Sequence, residues 1–162
     1  RHGAGRSDAI LLRHAHRSPT DTAALNELAA AIAPSRERRD ESLNQGRAFG
    51  LAGSAWPIGG LEPDSVYPVA VGAMTGAHGI AESDATVAYL QAFTANLISA
   101  AVRLVPLGQT AGLRVLAALE PVILETVAIT KTQTLDDVGG CAFRSDLAAM
   151  RHETQYTRLF RS

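Results

Sequence analysis

Apolar residues recur along this chain at helical spacing, and no stretch alternates apolar and polar positions between turn signals as a strand would. Ile10, Leu11 and Leu12 predict a short helix over Asp8 to Arg17. Leu25, Leu28, Ala29 and Ile32 predict a second, started by Ser18-Pro19-Thr20-Asp21 and stopped by Pro34. In that start Ser18 is placed as the cap, Pro19 at the first helical position and Asp21 near the positive dipole end. Ser35 to Glu41 is a run of mixed charge, which fits a solvated loop or an exposed helix start. Leu43, Gly46, Arg47, Gly50 and Leu51 continue as a helix, with Gly46 and Gly50 on one face where a neighbouring helix can come close. Such spacing also occurs in membrane helices, but Asn44, Gln45 and Arg47 exclude that here.

The second half follows a loop, Trp56 to Pro63, that carries two prolines and two glycines. Tyr67-Pro68 opens a helix that runs to about His78 and stops at Gly79. Glu82 or Ser83 opens the longest segment, where Val87, Leu90, Leu97, Ile98, Ala101, Val102 and Val105 cover much of the circumference. A helix apolar on most sides is expected to be central. Asn96 and Arg103 interrupt it and are expected to be paired inside the bundle, since a buried charge must be satisfied. After Pro106 and Gly108, a further long helix is marked by Leu113, Val115, Leu116, Leu119, Ile123, Leu124 and Val127, with a kink expected at Pro121. Lys131 to Gly140 is a polar turn region. The pattern predicts an all-α, compact helical bundle of about six to seven helices, with residues 1–140 as a helical domain and 141–162 as a C-terminal tail.

On a helix over residues 144–160, Arg144, Arg151 and Arg158 fall on one side. Ala149, His152, Tyr156, Leu159 and Phe160 fall together, well round from them. Arg and Tyr are the types that dominate many protein–protein contacts. An ordinary terminal amphipathic helix docked on its own core has the same pattern.

The chain has 162 residues, 46% hydrophobic and 19% charged, enough for one folded domain with a single core. Aromatics are only 5%, so closely spaced, alanine-rich helices are expected. A net charge of −1 gives no electrostatic case for nucleic acid. Cys141 is the one cysteine, which excludes an internal disulfide and points to a reducing, cytoplasmic compartment. No long uncharged apolar run and no signal peptide is legible, so no membrane partner is expected. A chain opening Arg1-His2-Gly3 is expected to be part of a longer protein.

Candidate chemistry is sparse. His14 and His16 lie about 200° apart on a helix and cannot share a metal there. Cys141 has no second cysteine or HxxxH spacing beside it, and a Cys–His nucleophile with His78 or His152 has no orienting group. No P-loop is present. No catalytic residue, metal ligand or cofactor is therefore expected. The alternatives are a small helical metal-dependent enzyme using histidine and Cys141, or an arginine-tail nucleic-acid binder.

Several stretches, in order, resemble one family. Glu41-Ser42-Leu43-Asn44-Gln45-Gly46-Arg47-Ala48-Phe49 is similar to its E-S-x-x-Q-G-R-A-F segment. Tyr67 to Gly72 and Ala77-His78-Gly79-Ile80 resemble its Y-P-V-A-V-G and A-H-G-I pair. Asn96 to Thr110 resembles its most recognisable run, and Met150 to Ser162 its C-terminus. The family is the urease accessory protein UreF. The resemblance implies a further N-terminal segment with a Pro- and Gly-rich stretch, which is expected to lie outside this sequence. Ala111-Gly112-Leu113 departs from a more polar family pattern, and the Trp56–Pro63 loop is longer. The resemblance implies a non-catalytic helical assembly factor that dimerises, binds UreH (also called UreD) and recruits the GTPase UreG. That complex delivers nickel to apo-urease, and the family is implied to regulate the GTPase. It also implies a partner-binding tail carried by Arg151, His152, Glu153, Tyr156, Arg158, Leu159 and Phe160, fixed only in the complex. A nickel path lined by His78 or Cys141 is a further expectation.

Overall fold

The computed structural model describes residues 3–56, 61–105, 107–140 and 142–156. They form seven α-helices and no strand: α1 (Ala4–Arg17), α2 (Ala23–Ala31), α3 (Arg36–Ala52), α4 (Tyr67–Ala77), α5 (Glu82–Leu104), α6 (Gln109–Thr130) and α7 (Phe143–Glu153). The all-α bundle predicted from the pattern is the observed architecture.

The centre is α1, not α5. Ala9, Ile10, Leu11, Leu12, Arg13 and Ala15 are all buried, and α1 packs against α2, α4, α5 and α6. One side of α1 joins Ala9 and Leu12 to Val71, Ala85, Tyr89, Leu90 and Ile123. The other joins Leu11 and Ala15 to Leu25, Val66 and Val69. By contrast, the burial of α5 stops at Leu90, and Leu97 and Leu104 are more than half exposed. Apolar circumference is therefore a poor guide to position here. The shorter helix is central because its neighbours close on every side of it.

The tightest seam runs between α1 and α4. A Cβ on Gly72 would sit 2.2 Å from the Leu12 carbonyl oxygen, and one on Gly76 2.2 Å from that of His16. Backbone meets backbone, so only glycine fits at these two positions, one helical turn apart on α4. The spacing expected to do this work at Gly46 and Gly50 behaves differently. Gly46 is met by the Ser65 carbonyl of the loop before α4, not by a helix, and Gly50 only touches Leu61.

The buried Arg13 is satisfied in full view of three elements. Its Nε donates to Thr130 Oγ1 at 3.2 Å, its Nη2 to the Val127 carbonyl at 2.8 Å, and its Nη1 to Glu82. Arg17 also donates to both Glu82 oxygens. Burial pushes the Glu82 carboxyl upward, but the hydrogen bonds from Arg17 and Arg13 outweigh it and hold the group below its ordinary range. This cluster ties α1 to the start of α5 and the end of α6.

Local signals were followed unevenly. Ser18 closes α1, its N–H donating to the His14 carbonyl, and α2 begins only at Ala23 after Thr22. The dipeptide Ser18-Pro19 thus belongs to a turn and not to a helix start. The charge run is a helix start: the Ser35 side chain accepts from the Arg38 N–H and α3 begins at Arg36. The stop at Gly79 holds, with Gly79 N–H bonded to the Gly76 carbonyl and Ile80 N–H to that of Thr75. α6 runs through Pro121 as one element. Asn96 and Arg103 are exposed, and Arg103 Nε donates to the Ser99 carbonyl of its own helix. They were expected inside the bundle, but that half of α5 has left the core.

Candidate docking surfaces

Three surfaces stand out. The first is the far part of the α5–α6 hairpin. α5 and α6 pack closely on each other, but beyond Leu90 on α5 and before Ile123 on α6 few residues are buried. Leu113, exposed by 66%, and Leu124 border a groove between the two helices together with Val87, Leu116 and Ala117. Leu104, Val105 and Leu107 add exposed apolar side chains at the tip. Scattered exposed leucines need no explanation, but a mainly apolar groove, here with Gln91 and Glu120 also in its lining, is a candidate interaction site.

The second surface is α7. It has no buried residue. Its hold on the body includes two contacts at the N-terminus of α3. His152 Nδ1 pairs with Glu37 Oε2 at 2.6 Å, and Glu153 Oε1 accepts the Arg36 N–H. That N–H is one of the donors a helix start leaves unpaired, so Glu153 acts as a cap supplied by another helix. Ala149 and His152 are half-buried on this inner side, while Arg144 and Arg151 are exposed, which matches the two-sided reading of the tail. The helix is shorter than expected: it ends at Glu153, and Tyr156 lies beyond it, fully exposed. Arg158, Leu159 and Phe160 fall outside the described residues. So the structure brings His152 and Glu153 together on α3 and leaves Arg151 and Tyr156 outward.

The third is a cleft of about 190 Å3 among α1, α3 and α5, with Asp8 and Tyr89 in its lining. Tyr89 donates its hydroxyl to Asp8 Oδ2 at 2.9 Å. Tyr67, Tyr89 and Phe93 form a ladder of rings, with centroids 5.3 Å and 6.5 Å apart. Asp8 lines the cleft yet is surrounded by protein, and burial pushes its carboxyl up to about 6. Burial, then the Asp8 charge, raises the Tyr89 phenol well above its usual value. Sequence reading did not bring Asp8 and Tyr89 together, because they lie 81 positions apart.

The histidines do not converge. Among the described residues no group of three His, Cys, Asp or Glu side chains is placed to hold a metal, and Cys141 lies outside them. His16 Nε2 meets the Ile80 carbonyl at 2.7 Å, and His78 Nε2 meets that of Trp56 at 3.2 Å. His14 is held below its ordinary value, by burial first and by Arg17 next.

Comparison with known proteins identifies the family. The UreF family model matches residues 1–120. The chain belongs to the UreF family. A protein of Bradyrhizobium sp. strain BTAi1 named urease accessory protein UreF is 54% identical over 99% of this chain and 72% of its own length. Proteins of the same name from Xanthobacter autotrophicus and Methylobacterium sp. are 50% and 49% identical, again over 99% of this chain and 71% and 70% of theirs.

Proposed function

We propose that this UreF-family chain is a non-catalytic scaffold of urease maturation in the cytoplasm. In this reading it joins UreH (UreD) and the GTPase UreG in a complex that delivers nickel to apo-urease, and it regulates that GTPase. The observation that carries the reading is the apolar groove of the α5–α6 hairpin, left uncovered by a core that is otherwise closed around α1. A chain that keeps so much apolar surface in water does so where another protein covers it. We assign the hairpin to self-association as a homodimer. The segment 141–162 is assigned to the accessory partner, with Arg151, His152, Glu153 and Tyr156, and with Arg158, Leu159 and Phe160 beyond the described residues.

α5 is, among the described residues, the one helix long and apolar enough to cross a membrane. Its first half is built into the core through Tyr89 and Leu90, and Glu82 at its start pairs with Arg13 and Arg17. That supports a protein-docking role for its exposed half. The test is co-purification with the urease accessory proteins followed by nickel-dependent urease activation. Leu113→Glu should abolish self-association, and Tyr156→Ala or Arg158→Ala should reduce capture of UreH and UreG and lower activation. Normal capture and activation with all three variants would refute the scaffold reading.

A further inference from the structure

The cleft around Asp8 has features that self-association and tail binding do not use. Its volume, about 190 Å3, is below the range of about 300–1,000 Å3 that holds a drug-sized ligand, so it suits the head of one side chain. Its carboxylate is underpartnered. Among the described residues the Tyr89 hydroxyl is the hydrogen-bond donor that reaches Asp8, whereas an ionised carboxylate accepts at about four lone-pair positions. Arg38 lies close enough for its charge to act on Asp8, but its Nη1 is given to Glu41. The remaining rim charges, Arg39 and Asp146, are of opposite sign, so the mouth repels neither kind of ion. Beside the carboxylate the half-buried rings of Tyr67 and Phe93 line the cleft, with the buried Tyr89 packed against both and nearly parallel to Phe93 at 13°. Aromatic faces attract cations, and a planar cation that stacks while donating a fork of hydrogen bonds is a guanidinium.

We propose that this cleft is a receptor for one arginine side chain presented by a protein partner, its guanidinium paired with the Asp8 carboxylate and laid against the Tyr67–Tyr89–Phe93 wall. The site lies away from the α5–α6 groove and does not depend on what covers that groove. An ammonium head satisfies the charge but neither stacks nor forks, so lysine should bind more weakly. A neutral urea of the same shape stacks but cannot neutralise the carboxylate.

The experiment is a titration of the full chain with propylguanidinium, followed by amide and ring NMR shifts, with propylammonium and propylurea at matched ionic strength as comparators. Propylguanidinium should give saturable shifts at Tyr67, Tyr89 and Phe93 with a Kd on the order of 1 mM. Propylammonium should bind more weakly and propylurea should fail to saturate. Asp8→Asn should weaken propylguanidinium binding by about tenfold, as expected for loss of one charge-assisted pair. Phe93→Leu, which keeps Asp8 and most of the apolar volume, should weaken it by about threefold, and far-UV circular dichroism would confirm that both variants are folded. Equal shifts with propylurea would overturn the proposal. So would an unchanged affinity in folded Asp8→Asn, or no saturable response at roughly 50 mM propylguanidinium.

Discussion

The α1–α4 seam and the distal α5–α6 hairpin are both made of apolar helices, and they have opposite fates. At the seam, glycine and alanine bring two backbones into contact, and most of the apolar side chains of α1 and α4 are buried. In the hairpin, leucine and valine make a longer pair of helices, each more apolar in composition than α1, yet Leu113 and Leu124 border an open groove. Hydrophobic content alone does not decide burial. What decides it is whether small residues let a neighbour close over the surface. The seam spends its apolar surface on the chain's own stability. In the proposed reading the hairpin leaves its surface to a second copy of the chain.

The largest effect should come from breaking the seam. Gly72→Val places a side chain where the Leu12 carbonyl stands 2.2 Å away, and backbone cannot yield as a flexible side chain can. Loss of about 3 kcal/mol or more is expected in urea unfolding, against little change for Gly108→Ala, whose Cβ would meet open space. Tolerance of valine at residue 72 would show that the seam is not the rigid centre.

A smaller effect concerns Asp8, beside the seam. Its folded value of about 6 exceeds the ordinary 3.8, so the folded chain binds this proton more tightly than the unfolded one. The stabilising contribution is complete below the ordinary value and is lost as pH rises through about 6, up to about 3 kcal/mol in all. Asp8→Asn should therefore gain stability relative to the parent between about pH 4 and about pH 7, read as the difference in urea midpoints. Parallel pH profiles for the two proteins would remove the account of Asp8 as a desolvated carboxyl.

In the hairpin the balance should invert. In the dissociated chain Leu113→Glu should change unfolding stability by less than about 0.5 kcal/mol, because the side chain it replaces is there already mostly in water. Its effect should appear in sedimentation or light scattering as loss of self-association. A large stability loss would mean that the groove belongs to the core. The smallest effect is expected at α7. His152→Ala removes a partly exposed pair with Glu37 and should cost below about 1 kcal/mol. It should nonetheless speed hydrogen exchange along Phe143–Glu153, since no residue of that helix is buried.

How legible all this was depended on range. Helix periodicity, the stop at Gly79 and the polar segment before the tail were readable because each rests on neighbours within a turn or two. The start of α2 was misplaced because Ser18 and Pro19 also suit the turn that ends α1. The division of the tail into an inner and an outer side was legible as far as His152, while the helix end before Tyr156 was not. Asp8 and Tyr89 were invisible as a pair, since nothing local links a helix start to a residue 81 positions on.

By itself, then, the amino-acid order determined an all-α chain, the placement of most helices and, through ordered stretches such as Glu41–Phe49 and Tyr67–Gly72, membership of the UreF family. Which apolar helix is central was decided only in three dimensions. α1 is buried because Gly72 and Gly76 admit it to backbone contact, and α5 and α6 stay half in water because no described element closes over their far ends. Periodicity states which face of a helix avoids water. The number of neighbours that can reach that face is a property of the assembled fold.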